Sequence, residues 1–336
     1  MKIIIVNKHF SNNPGGSEFQ CHLIANELKK KNFAPEYLCI ENSKKSKKLN
    51  VKYKIHNVGK SIFKIINLIL KLKPNIIYWR YNTNLVVPVL FLSKLMNIPI
   101  IFAVSSFKDI QSNSIYSKLI NLFNHVTVNN KKFLRYLKFK NKSYIPNITT
   151  IKFKKFVYKK KFVLWISNIK KRKNIELYTE IAKKYEHKNI YFLCVGEIQD
   201  SSYNWIKRFN LKCKNFKYLG FKSPEEINGI LKKTLLHITT EDHLKAGFSN
   251  TFIQSCFQKK PTLSFSFDPG GFIKSKKIGR YCDQSKKKFF DDFDFYLKNP
   301  NERRKDGKKA FKFAKKEFNK NTILNKLIKI FEKITI

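Results

Sequence analysis

The sequence is poor in acidic residues, since 23 aspartates and glutamates stand against 69 lysines and arginines, for a formal net charge of +46 at pH 7. Only seven of the basic residues are arginines, and the lysines are spread along the whole chain. Proteins that read nucleic acid usually concentrate charge on one face and favour arginine. The composition therefore indicates a solvated lysine coat. A second interpretation is that the coat holds the protein on an anionic membrane surface, and direct nucleic-acid binding comes third.

Long apolar runs and paired cysteines are also missing. No stretch reaches the roughly 18 to 20 apolar residues of a membrane-spanning helix. Met1-Lys2 leads straight into the apolar run Ile3–Val6, with no small-residue cleavage site of a signal peptide. The six cysteines form no CxxC pair, and the seven histidines show no metal-ligand spacing. We therefore expect buried thiols in a reducing compartment, no metal site and a cytoplasmic protein.

What the sequence does contain is a repeated order of apolar strand, loop and helix. Short strands that are apolar on both faces and alternate with helices predict parallel sheets covered on both sides. The predicted strands are 3–6, 37–40, 75–78, 98–104 and 125–128, then 162–166, 190–195, 215–219, 235–239 and 262–265. We predict an α/β protein with two doubly wound, Rossmann-like domains that face a cleft, residues 1–150 and 151–310. A terminal helix in 311–336 would pack back on the N-terminal domain and close the pair.

In doubly wound sheets, ligands bind beyond the carboxyl ends of the strands, where loops meet helix N-termini. The first segment in such a position contains Gly15 and Gly16, which allow a backbone to approach a ligand closely. A Gly-Gly pair is also common in ordinary surface turns. This segment alone is therefore weak evidence for a site.

Two further segments have a composition suited to anions. The loop Lys170–Lys173 puts four cations after a strand, where they would neutralise a diphosphate, although chance also places basic loops in a lysine-rich chain. At 247–251, a glycine precedes a helix whose first amides either form an anion site or are capped locally by Ser249 or Asn250. Gln254 lies one turn further on.

Taken together, these segments resemble the GT-B glycosyltransferases of family 4 (glycosyl transferases group 1) over nearly the whole chain. The resemblance rests on GGSE at 15–18, IPN at 145–147, the loop 170–173, FKYLGF at 216–221, GFSNTFIQ at 247–254 and KPT at 260–262. The run DPGGFI at 268–273, followed by IG at 278–279, is similar to a subgroup that makes surface polysaccharides.

The resemblance implies a retaining, hexosyltransferase-like enzyme that needs no metal or other cofactor. It would move a sugar from a nucleotide-diphosphate sugar, bound by 151–310, to a glycan or lipid-linked acceptor on the 1–150 side. The basic coat would keep the enzyme at the inner face of the membrane. Lys170 and Lys173 would be catalytic, stabilising the departing diphosphate. The implied donor-binding residues are Gly15, Gly16, Asn168, Gly247, Phe248, Ser249, Asn250, Thr251 and Gln254.

The sequence departs from the family pattern at several positions. The two glutamates of the family, eight residues apart, fall on Ala246 and Gln254, and its phosphate-binding arginine falls on Asn168 or Lys170. The run IFAVSS at 101–106 occupies the stretch where many relatives carry an active-site histidine. Glu241 could supply a carboxylate from the preceding loop. The lost glutamates favour a second hypothesis, a catalytically weak sugar-nucleotide-binding or scaffolding homologue; a sugar-nucleotide epimerase of the same architecture is a further alternative.

Overall fold

The computed structural model describes residues 1–11, 15–41, 51–111, 114–152, 154–241 and 248–335. The chain divides into two compact units. The first comprises Met1–Thr149 and Phe318–Ile336, and the second comprises Thr150–Glu317. Residue 311, at which we expected a separate terminal helix to begin, lies inside a helix of the second unit.

The first unit is built on a seven-stranded sheet in the order β3-β2-β1-β4-β5-β6-β7, in which the paired strands are parallel. The strands are β1 Lys2–Asn7, β2 Ala34–Cys39, β3 Lys54–Asn57, β4 Ile76–Trp79, β5 Ile100–Val104, β6 His125–Val128 and β7 Lys142–Tyr144. The helices between them are α1 Gly16–Lys30, α2 Ile62–Leu72, α3 Val86–Leu95 and the short α4 Ile115–Lys118.

The second unit repeats this plan with a six-stranded parallel sheet in the order β10-β9-β8-β11-β12-β13. Its strands are β8 Phe162–Ile166, β9 Tyr191–Val195, β10 Phe216–Tyr218, β11 His237–Thr239, β12 Thr262–Ser264 and β13 Gly279–Tyr281. Its helices are α5 Ile175–Lys184, α6 Trp205–Lys212, α7 Pro224–Lys233, α8 Asn250–Phe257, α9 Phe272–Lys276, α10 Lys286–Lys298 and α11 Pro300–Glu317. The last helix, α12 Lys320–Thr335, belongs to the first unit.

Both faces of the first sheet are covered, as the apolar strands require. Ile4 and Val6 of β1 join a core with α2 and α3, whereas Ile3 and Ile5 join a second core with α1 and α12. This division follows from the geometry of a strand, in which successive side chains point to opposite faces. Leu327 and Phe331 anchor α12 in the second of these cores. The prediction of two doubly wound α/β units is thereby confirmed, and so is a C-terminal helix.

The strand order of each sheet reverses at one point. The reversal lies between β1 and β4 in the first sheet and between β8 and β11 in the second. At such a switch point the following loops diverge to opposite faces and leave a crevice beyond the carboxyl ends of the strands. The loops that follow β8 and β11 are therefore the candidate ligand-binding loops of the second unit.

The remaining sequence expectations concern thiols and membrane spans. All six cysteines are free thiols and are buried. Among the helices in the described ranges, none is both long enough and apolar enough to cross a membrane.

Candidate functional site

Hydrogen bonds fasten the loop after β8 to the loop after β11. The indole N–H of Trp165 in β8 donates to Thr240 Oγ1 at 2.9 Å, and that hydroxyl donates to the backbone oxygen of Lys173 at 2.7 Å. Thr240 directly follows β11, so one buried hydroxyl joins both sides of the switch point. The backbone of Lys173 is thus held at the carboxyl edge of the second sheet.

An ion cluster of Lys173, Arg172 and Glu241 lies at this switch point. Glu241 Oε1 contacts Lys173 Nζ and lies 2.6 Å from Arg172 Nη1. The side chains of Lys173 and Glu241 are only 12% and 10% exposed, whereas that of Arg172 is 39% exposed. Ser266 Oγ, just beyond β12, donates to the backbone oxygen of Glu241 at 2.6 Å. Residues that follow three strands, β8, β11 and β12, therefore meet at Glu241.

The cluster contains one largely buried ammonium group, that of Lys173. Burial lowers the pKa of Lys173 from its ordinary value, and the adjacent Glu241 carboxylate opposes that effect. A buried ammonium group without a counter-ion destabilises the fold, and Glu241 is the counter-ion of Lys173. A phosphate oxygen has the charge to take the same place. Within the described ranges, no group of three or more histidines, cysteines or carboxylates is arranged to hold a metal ion.

Lys170 and Asn168, the other predicted residues of this loop, lie outside the ion cluster. Lys170 Nζ donates to Gln199 Oε1 at 3.0 Å on the surface, and Asn168 is partly buried. The loop runs so close to the end of β9 that a Cβ on Gly196 would lie 1.7 Å from the backbone oxygen of Ser167. The structure thus brings Lys173 to Glu241 and gives Lys170 a different partner.

The start of α8 is capped by its own side chains. Ser249 Oγ accepts from the Phe252 N–H at 3.3 Å and lies 2.8 Å from Thr251 Oγ1. Phe248 is buried, with its ring against those of Phe252 and Phe272, and Asn250 begins the helix. Local capping by Ser249, one of the two interpretations of this segment, is therefore present. Gly247 and Ala246 lie outside the described residues.

Gln254 packs against α7. Its side chain is 3% exposed, and Nε2 donates to the backbone oxygen of Pro224 at 3.3 Å and to Asn228 Oδ1 at 3.2 Å. Asn228 in turn donates to the backbone oxygens of Thr150 and Lys152. The amide nitrogen of Gln254 therefore links α8 to α7, and only its oxygen remains for the predicted contact with the donor.

The Gly-Gly segment of the first unit also has an internal partner. Gly15 precedes α1, and Gly16 is its exposed first residue. A Cβ on Gly15 would lie 2.2 Å from Glu18 Oε2, so the carboxylate of Glu18 occupies the space above the glycine. Burial raises the pKa of Glu18, while the charges of Lys8 and Arg80 oppose that effect.

Sequence reasoning missed Arg80, at the switch point of the first sheet. Arg80 directly follows β4, is 7% exposed, and donates from Nη2 to Asn147 Oδ1 at 3.0 Å. Its Nε is buried, and no residue in the described part of the chain hydrogen-bonds to it. An arginine two residues beyond the predicted strand 75–78, in a chain with seven arginines, was the signal that could have identified it.

Asp109 is the second residue that sequence reasoning missed. Its carboxylate is 4% exposed and accepts from the backbone N–H groups of Ser105 and Ser106, each at 2.9 Å. Asn82 Nδ2 donates to it at 2.8 Å. The serines that stand where many relatives carry a histidine are therefore part of the turn that follows β5.

Comparison with known proteins agrees with this architecture. Residues 147–313 match the family described as Glycosyl transferases group 1. A search of curated proteins found no match.

Several solved structures are similar over almost their whole length. Sucrose-phosphate synthase from Thermosynechococcus elongatus has a TM-score of 0.81 and 13% identity, with 99% of both chains covered. HepE from Anabaena, in complex with UDP and glucose, has a TM-score of 0.75 and 14% identity, covering 99% of this chain and 100% of its own. WaaG, a glycosyltransferase involved in lipopolysaccharide biosynthesis, has a TM-score of 0.73 and 10% identity, covering 98% and 99%. At these identities the likeness establishes the fold alone. The chain has the GT-B fold and carries a glycosyl transferases group 1 domain at residues 147–313.

Proposed function

We propose that the protein is a retaining glycosyltransferase that moves a sugar from a nucleotide-diphosphate sugar to a glycan or lipid-linked acceptor. The observation that carries the proposal is the ion cluster of Lys173, Arg172 and Glu241 at the switch point of a glycosyl transferases group 1 domain. Two cations held by one carboxylate form a site whose occupant can be exchanged for a more highly charged anion. A diphosphate is such an anion.

In the proposed site, the diphosphate replaces the Glu241 carboxylate on Lys173 and Arg172. Lys170, on the exposed side of the same loop, reaches the outer phosphate. The bond from the anomeric carbon to the diphosphate oxygen breaks while these cations stabilise the charge that develops on that oxygen. The oxygen of the acceptor hydroxyl forms the new bond to the anomeric carbon, and its proton passes to the departing diphosphate. The cations and the amides of 248–251 do the work that a metal ion does elsewhere, so no cofactor is required.

The remaining donor contacts in the proposal are more distant from the ion cluster along the chain. Gln254 offers Oε1 to a hydroxyl of the donor while Nε2 stays on α7. Gly15 and Gly16 offer backbone atoms, which requires the Glu18 carboxylate to leave the space above Gly15. Gly247 and Asn168 complete the donor-binding residues.

The similar structures support the choice of substrates. HepE was solved with UDP and glucose, and WaaG acts in lipopolysaccharide biosynthesis. By analogy we propose a role in surface polysaccharide synthesis for this chain. A lipid-linked acceptor and the net charge of +46 fit a cytoplasmic enzyme at the inner face of the membrane.

Thermal stabilisation by a panel of UDP-, GDP- and ADP-sugars tests the donor site. A ligand that binds only the native state raises the melting temperature. At a ligand concentration a hundred times Kd, the gain in unfolding free energy is about 2.7 kcal/mol. We expect a clear shift with one base, followed by transfer of that sugar to a glycan acceptor. Absence of a shift with any of the sugars would contradict the proposal.

A catalytically weak homologue that only binds sugar nucleotides is the second candidate. It is favoured by Gln254, which replaces a carboxylate of the family with an amide already engaged by α7. Release of free nucleoside diphosphate from the stabilising donor distinguishes the two. Turnover supports the enzyme, whereas binding without any hydrolysis or transfer supports the weak homologue.

A further inference from the structure

Two neighbouring helices of the first unit expose large apolar side chains. On α2, Phe63 is 83% exposed and Leu70 is 43% exposed; on α3, Phe91 is 59% and Leu95 is 85% exposed. These make up four of the nine large apolar side chains that are exposed in the described part of the chain. Single exposed apolar residues are ordinary, but a concentration on two adjacent helices indicates a surface for association.

The four side chains lie on the outer sides of two adjacent helices, and we call these outer sides the α2–α3 face. Both helices bury their inner sides in the same core, with Ile65 and Ile69 from α2 and Leu90 from α3, and they contact each other. Phe63 and Leu70 are two helical turns apart, and Phe91 and Leu95 are one turn apart, so each pair shares one side of its helix. Two helices that lie together on one sheet face therefore both carry exposed apolar side chains.

The charged residues of α2, of α3 and of the segment that connects them are of one sign. No aspartate or glutamate occurs in the sequence from Asn42 to Lys108. Lys64 and Lys71 on α2 and Lys94 on α3 are exposed. Acidic residues interspersed with the lysines would suit a protein partner, whereas apolar side chains with only cations around them suit the boundary between anionic headgroups and acyl chains.

We propose that the α2–α3 face docks on an anionic phospholipid bilayer, with Phe63, Phe91 and Leu95 inserted at the headgroup boundary and Lys64, Lys71 and Lys94 against the phosphates. Docking rests on the proposed function only in its role, because it would bring the enzyme to a lipid-linked acceptor. The binding itself requires no sugar transfer.

Flotation of the full chain with vesicles tests the docking surface. We expect binding to vesicles of phosphatidylcholine mixed with phosphatidylglycerol, little binding to phosphatidylcholine alone, and loss of binding as salt rises. The double variant Phe63→Ser/Leu95→Ser should bind at least about tenfold more weakly, since about 1.4 kcal/mol of apolar insertion corresponds to tenfold in affinity. Leu211→Ser, at an equally exposed leucine of α6, is the matched control and should bind as the wild type does.

A charge variant tests the second half of the proposal. Lys64→Ala/Lys71→Ala/Lys94→Ala should lose most binding to anionic vesicles, while Lys207→Ala/Lys212→Ala/Lys217→Ala, three exposed lysines of the second unit, should retain more of it. Equal loss in both triple variants would show that the general lysine coat, and not this face, binds the membrane.

Two other results would overturn the proposal. One is unchanged vesicle binding in Phe63→Ser/Leu95→Ser, and the other is a concentration-dependent dimer that this variant abolishes, which would make a second copy the occupant. Stabilisation by the nucleotide sugar is measured on the same variants. If the wild type binds the donor but not the vesicles, the docking proposal is wrong and the donor site stands. If it binds the vesicles but not the donor, the proposed donor site is wrong and the docking proposal stands.

Discussion

The carboxylate of Glu241 contacts the ammonium group of Lys173 where the strand order of the second sheet reverses. The two side chains come from loops after adjacent strands and are both largely buried. A buried charge that loses its partner destabilises a protein strongly, so the pair holds the loops in place when no ligand is bound. The same pairing means that an incoming anion must compete with Glu241.

Lys173→Ala should weaken donor binding. The substitution removes the most buried cation of the ion cluster and leaves Glu241 with Arg172. A hydrogen bond to a charged group contributes about 1.5–3 kcal/mol, so we expect Kd for the stabilising nucleotide sugar to rise roughly 10- to 100-fold. Titration calorimetry measures it, with Lys171→Ala, at an exposed neighbour, as the control. An unchanged Kd in Lys173→Ala would place the diphosphate elsewhere.

Glu241→Gln should have the opposite effect on binding. The glutamine keeps the shape of the side chain but removes the charge that competes with the ligand, so nucleoside diphosphate should bind several-fold more tightly. The ligand-free protein should lose about 3 kcal/mol of unfolding free energy, because Lys173 stays buried without a counter-ion. Calorimetry and urea unfolding measure the two effects. Weaker nucleotide binding in this variant would mean that Glu241 contacts the donor directly.

Gln254→Glu should destabilise the protein although it restores the residue usual in the family. A carboxylate at this position would face two acceptors, the backbone oxygen of Pro224 and Asn228 Oδ1, in place of the amide N–H groups that now bind them. We expect a loss of about 1–3 kcal/mol at pH 7. A protonated carboxyl can donate again, so the loss should shrink as pH falls toward 4. Urea unfolding at both pH values measures it, and a variant as stable as the wild type at pH 7 would contradict the role of Gln254 in joining α7 and α8.

Burial of His237 should make stability fall in mild acid. His237 is 1% exposed, and burial lowers its pKa to about 4 from the ordinary 6.5. Between pH 6.5 and 4, His237 is protonated in the unfolded chain but neutral in the folded protein. The free energy of unfolding should therefore fall by about 1.4 kcal/mol per pH unit as pH drops below 6.5. Above 6.5 this histidine contributes no pH dependence.

The matched pair His237→Gln and His187→Gln isolates this contribution. His187 is exposed, so its removal should leave the acid slope of urea unfolding unchanged, whereas His237→Gln should flatten it. His9, whose pKa burial likewise lowers to about 4, retains its own share of the slope in both variants. Parallel pH curves for the two variants would contradict a neutral, buried His237.

Central strands were predictable from the sequence, whereas three of the four edge strands were not. The run at 162–166 matches β8 residue for residue, because a strand covered on both faces is apolar throughout. The run at 125–128 matches β6. β3, β7 and β13 were missed. Each lies at or beside a sheet edge, is partly exposed and carries polar residues, so its conformation depends on the ladder with its neighbour.

The sequence by itself determined the two parallel sheets and the strand ends at which a ligand site would form, because local apolar patterning and glycine position are properties of short segments. Only the tertiary structure decided the partners. Arg172 and Glu241 are 69 residues apart and meet because β8 and β11 are adjacent strands. Gln254 faces α7 through packing of helices that no local pattern encodes. These charged and amide side chains contact residues that are distant in the chain, and only the folded structure brings those residues together.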